Sequence, residues 1–103
     1  MDPFIGSGMD DGERRVLSRF FVGRTLTKIP AGRNKRRLVL ERLALEFEIG
    51  RHYPESEVND VLRAFHPDFA ALRRYLVDEN LLDRADGVYW RSGGRTEPFD
   101  DPM

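Results

Sequence analysis

A chain of 103 residues, 40% hydrophobic and 34% charged, is long enough for one compact domain and too apolar to stay disordered. The absence of cysteine excludes disulfides, thiolate metal sites and a cysteine nucleophile, and makes the cytoplasm the default compartment. The net charge of −1 conceals an uneven distribution, because all 17 Lys and Arg lie between Arg14 and Arg95 with only eleven of the 18 carboxylates, a stretch of +6 between acidic ends.

Residues 1–12, with Gly6, Ser7, Gly8 and Gly12 set among acids, have neither helical nor strand period and read as a flexible tail. Met9 is a candidate natural start, which makes residues 1–8 a vector-derived extension. The domain is expected over residues 13–91, with a second flexible, acidic tail over 92–103 that contains Gly93, Gly94, Pro98 and Pro102. The start lacks the basic and apolar regions of a secretory signal, and no apolar run approaches the roughly 20 residues that span a bilayer.

Val16, Leu17, Phe20 and Phe21 recur at helical spacing, and Gly23 is placed to end that helix. In the next segment, Arg24 to Arg33, Pro30 and Gly32 argue against regular structure, while Leu26 and Ile29 are expected to anchor the loop on the core. A stronger helix follows over residues 34–47, where Leu40, Leu43, Ala44 and Phe47 keep one face apolar and Asn34 is the candidate N-cap. Arg51-His52-Tyr53 reads as a short edge strand, and Pro54 suits the first turn of a helix whose apolar face is Val58, Val61, Leu62 and Phe65.

A tight connection at His66-Pro67-Asp68 leads to a third helix over residues 67–79, with Phe69, Leu72 and Leu76 on one side. Asn80 suits a left-handed cap, and Asp86-Gly87 between two four-residue apolar segments is a strong hairpin signal. The order predicts an α+β fold, mostly α: a winged helix-turn-helix with an extra N-terminal helix and a C-terminal two-stranded wing.

Several segments together carry a family resemblance: Gly23-Arg24-Thr25-Leu26, Ile29-Pro30, Lys35-Arg36-Arg37, Tyr53-Pro54-Glu55-Ser56-Glu57-Val58-Asn59, His66-Pro67-Asp68, Leu72-Arg73-Arg74-Tyr75-Leu76-Val77-Asp78, Leu81-Leu82-Asp83-Arg84 and Val88-Tyr89-Trp90-Arg91. From about Phe20 to Arg91 the chain resembles the bacterial domain-of-unknown-function family 2087. Members of that family stand alone or are fused behind ArsR-type regulators and have no agreed activity, so the resemblance implies a regulatory context. Gly32 departs from it, standing where members often carry a basic residue.

Arg24, Lys28, Arg33, Lys35, Arg36 and Arg37 form the densest basic run and are the candidate phosphate contacts, although Glu41, Glu46 or Glu48 can pair with them instead. On the third helix Arg73 and Arg74 are candidates for the groove, opposed by Asp68, Asp78 and Glu79 and by pairing of Arg73 with a carboxylate such as Glu57. Arg84 and Arg91 are the wing candidates, and of Tyr89 and Trp90 one is expected to face the core.

His52 with Glu55 and His66 with Asp68 lack a third ligand, so no metal is expected. No nucleophile motif, phosphate-cradling loop or dinucleotide fingerprint points to catalysis or a cofactor. Two expectations follow: a transcriptional regulatory module bound to double-stranded DNA, or a protein-interaction or effector-sensing module that binds another regulator or a second copy of itself and does not bind DNA.

Overall fold

A computed structural model describes residues 9–95, so the parts of the expected tails over 1–8 and 96–103 lie outside the described residues. Among the described residues the chain forms a small α+β domain of four helices and two small antiparallel sheets. In order these are α1 (Asp11–Leu17), β1 (Phe21–Val22), β2 (Thr25–Leu26), α2 (Arg33–Ala44), β3 (His52–Pro54), α3 (Glu55–Arg63), α4 (Phe69–Asp78), β4 (Leu82–Ala85) and β5 (Val88–Arg91). None of the described helices is long and apolar enough to cross a membrane.

The fold begins earlier than composition suggested. The Asp10 side chain accepts a bond from the Glu13 amide at 2.8 Å, and the Glu13 carboxylate accepts from the Asp10 amide at 3.0 Å, a reciprocal cap that starts α1 at Asp11. Met9, just before it, is buried. The helix also ends earlier, at Leu17, because Phe21 and Val22 pair with Leu26 and Thr25 in a hairpin. Gly23 is therefore not a helix cap. With φ of +60° it opens the two-residue turn Gly23-Arg24, a position where a side chain would strain the backbone.

Asn34 does not cap α2 either, since Gly32 holds that position and offers no side-chain bond. The apolar face is as expected, with Leu40, Leu43, Ala44 and Phe47 fully buried. Val58 and Leu62 of α3 and Leu72 and Leu76 of α4 meet them in the core. Fully burying a side chain of this size contributes about 1.5–3 kcal/mol.

The Asp68 carboxylate caps α4 by accepting from the Ala71 amide at 3.3 Å, so α4 starts two residues later than the expected Pro67. After α4, Asn80 is left-handed at φ +60°, and Asp86 and Gly87 at +53° and +77° form the tight turn that folds β4 onto β5. The strand order is β3-β5-β4, with β3 on the edge and shifted one residue from the expected segment. Tyr89 is buried, while Trp90 is half-buried on the opposite face with its ring 5.2 Å from that of His52.

Candidate nucleic-acid interface

The start of α2 packs against the later part of α4, because the Arg36 guanidinium lies 4.6 Å from the centre of the Tyr75 ring. Nη1 of Arg36 also donates to the Ala31 carbonyl at 2.9 Å, which fixes the preceding loop. The next residue, Arg37, donates to the Glu79 backbone carbonyl at 2.9 Å and to the Glu79 carboxylate at 3.0 Å, while its Nε donates to Glu41 at 3.0 Å. Arg33 grips the same Glu79 carboxylate through two bonds, at 3.1 and 3.2 Å. The Arg33 hydrogen bond is the main force holding the Glu79 carboxyl below its ordinary pKa, with Arg37 assisting and burial opposing.

These pairs belong to a longer ladder of alternating charge. From Glu41 it continues to Arg95, whose Nε donates to Glu41 at 2.7 Å, and then to Glu13, which Arg95 meets with both terminal nitrogens, one of them at 2.6 Å. Arg95 holds the Glu13 carboxyl below its ordinary pKa. A cleft of about 260 Å³ runs beside this end of the ladder, lined by Glu13, Asn34, Arg37, Leu38, Glu41 and Arg95.

The remaining candidates divide sharply. Arg24 pairs with Glu46 at 3.1 Å and lies over the Phe65 ring. Arg73 bonds the Asn59 side chain and stands 3.9 Å from Glu55, not Glu57, which pairs instead with Arg51 at 2.7 Å. Arg84 is exposed, and its nearest influence is the Tyr89 hydroxyl, which itself donates to Glu55 at 2.8 Å. Arg91 donates to the backbone carbonyls of Phe47 and Gly93, at 3.3 and 3.1 Å, and to that of Arg95. Lys28, Lys35 and Arg74 are exposed, and their side chains have no partner among the described residues.

Residues 92–95, expected in a mobile tail, are built into the domain. Ser92 bonds the Leu81 carbonyl through its amide at 3.0 Å and the Asn80 carbonyl through its hydroxyl at 3.2 Å. A Cβ on Gly93 would fall 2.5 Å from that Asn80 oxygen, so only glycine lets the two backbones approach this closely. Sequence reasoning passed over Arg95 and Glu13 as functional partners, and only Asp10 with Glu13 left a readable signal, that of a helix start.

Residues 25–91 match the family described as "Uncharacterized protein conserved in bacteria (DUF2087)". The chain belongs to this family. The matched region runs from β2 through β5, so the family domain contains Arg33, Arg37, Glu41 and Glu79 but neither Glu13 nor Arg95. No curated protein matches the chain, and no solved structure does.

Proposed function

We propose that this member of the DUF2087 family is a winged-helix module that holds the phosphate backbone of double-stranded DNA in a regulatory role. Support for the fold comes from its order: α2 and β3, then α3 and α4 across a short turn, then a β4–β5 hairpin whose second strand pairs with β3. In such a module α4 is the helix offered to the major groove. The observation that carries the DNA reading is that, of the ten candidate cations, Lys28, Lys35 and Arg74 are exposed and without a partner among the described residues, and two of them flank the stacked Arg36–Tyr75 pair in sequence.

This surface is smaller than the ten residues the sequence suggested, and it favours phosphate contact over base reading. Arg73 is held by α3, Arg91 by backbone carbonyls, and the wing tip is the acidic two-residue turn Asp86-Gly87. Three phosphate contacts give a logarithmic salt slope of roughly −2.7, or about a 40-fold loss of affinity between 50 and 200 mM salt. The test is fluorescence anisotropy of a random duplex with the native chain and with a Lys28→Ala, Lys35→Ala, Arg74→Ala triple variant. We expect weak, salt-sensitive binding that the triple variant abolishes; an unbound duplex at 20 mM salt overturns the proposal.

A second reading, a module that docks on another protein or a second copy of itself, is favoured by the hydrogen bonds that tie Arg24, Arg33, Arg36, Arg37, Arg73 and Arg91, six of the ten candidate cations, to the chain itself and by two exposed apolar side chains, Val22 (72% exposed) and Ile49 (65% exposed). Light scattering across a concentration series tests self-association.

A further inference from the structure

Two local arrangements run against the helix dipole, and they meet at the same place. The first turn of α2 has no acid, no side-chain cap and the cations Arg33 and Lys35 at its positive end. Immediately beyond the negative end of α4 stands a carboxylate, Glu79, with its side chain largely buried under Arg33 and Arg37. Each is unfavourable alone, and each is relieved by the other. The acid at this helix C-terminus is offset by two guanidinium groups that converge on it, one of them bidentate, the geometry by which arginine takes a phosphate or a carboxylate.

We infer that Glu79 is an internal phosphate mimic: its carboxylate occupies an oxyanion site formed by Arg33 and Arg37, and a phosphodiester of DNA must displace it to gain both arginines. The inference rests on the phosphate-binding role proposed above and adds its regulation. With Glu79 in place, the candidate cations without a partner among the described residues are Lys28, Lys35 and Arg74; with Glu79 displaced, Arg33 joins them, while Arg37 retains Glu41 and a backbone carbonyl. Arg33 is well placed for the exchange, since its side chain is 73% exposed and its bonds to Glu79 are its only ones among the described residues.

The experiment is the same duplex titration with Glu79→Gln, which keeps the shape of the side chain but removes its charge and one of its two acceptor oxygens, and with Glu79→Gln combined with Arg33→Ala. We expect Glu79→Gln to bind the duplex roughly three- to tenfold tighter at low salt, with a salt slope steeper by about one phosphate contact, and the gain to vanish in the double variant. Equal affinity and slope in a folded Glu79→Gln overturn the inference while leaving DNA binding intact; no binding by any variant overturns both. Should Glu79→Gln fail to fold, Glu79→Asp decides, because it retains the charge and draws the carboxylate back by one methylene: a gain of affinity supports the mimic, and an unchanged affinity overturns it.

Discussion

Replacing Arg95 with Ala tests whether the charge ladder holds the domain together or merely decorates it. Arg95 joins Glu13 of α1 to Glu41 of α2, and the three side chains are 31%, 25% and 14% exposed. That places the contact between a surface ion pair, worth about 0–1 kcal/mol, and a buried one, whose breaking costs about 3–5 kcal/mol. Two pairs share one guanidinium, so we expect a loss of about 1–2 kcal/mol. For a domain of this length, such a loss lowers the melting temperature by roughly 5–15 °C.

Circular dichroism melts at low salt measure the loss, and a double-mutant cycle with Glu13→Gln isolates the pair. The cost of Arg95→Ala should shrink by about 0.5–1 kcal/mol once Glu13 has no charge, and again in 1 M salt. Melting within about 1 °C of the native chain, or a cycle with no coupling, refutes a stabilising ladder.

Gly93→Ala should be costly despite its small size, because the new methyl meets the Asn80 carbonyl at 2.5 Å; we expect about 1–3 kcal/mol, read as a lower urea midpoint. Acid should weaken the ladder in a defined direction. Glu13 and Glu79 have pKa values depressed below the ordinary 4.5, so their stabilisation is fully present above that pH and is lost as pH falls through the lower folded values. Melts at pH 7, 5 and 3 should therefore agree over the first interval and fall over the second, with a smaller fall in Arg95→Ala.

Much of the fold was legible because its signals are local. The apolar faces of α2, α3 and α4 repeat at helical spacing, and Asn80 and Asp86-Gly87 occupy the left-handed conformations that their residue types tolerate. The β1–β2 hairpin was not legible, since Val16, Leu17, Phe20 and Phe21 keep helical spacing across the break between α1 and β1. Leu17 and Phe21 both reach the core, but from different elements. The pattern recorded which side chains are buried and was silent on the backbone that carries them there. The start of α1 was masked in another way, as a gly- and acid-rich composition hid the Asp10–Glu13 cap within it.

The interface was less legible because charge is local in sequence and its cancellation is not. Arg37 and Arg33 meet Glu79 across 42 and 46 positions, and Arg95 meets Glu41 and Glu13 across 54 and 82. Within the basic run, the sequence offered Glu41 and Glu46 as partners, and Arg37 and Arg24 take them. A run of cations therefore overstates the positive surface wherever the fold returns acids to it. Arg33 and Lys35 stand two positions apart on one helix turn, yet one grips a carboxylate from beyond α4 and the other has no partner among the described residues. What sequence counting treated as one basic patch is a set of unequal positions, distinguished by whether the fold brings a carboxylate to each.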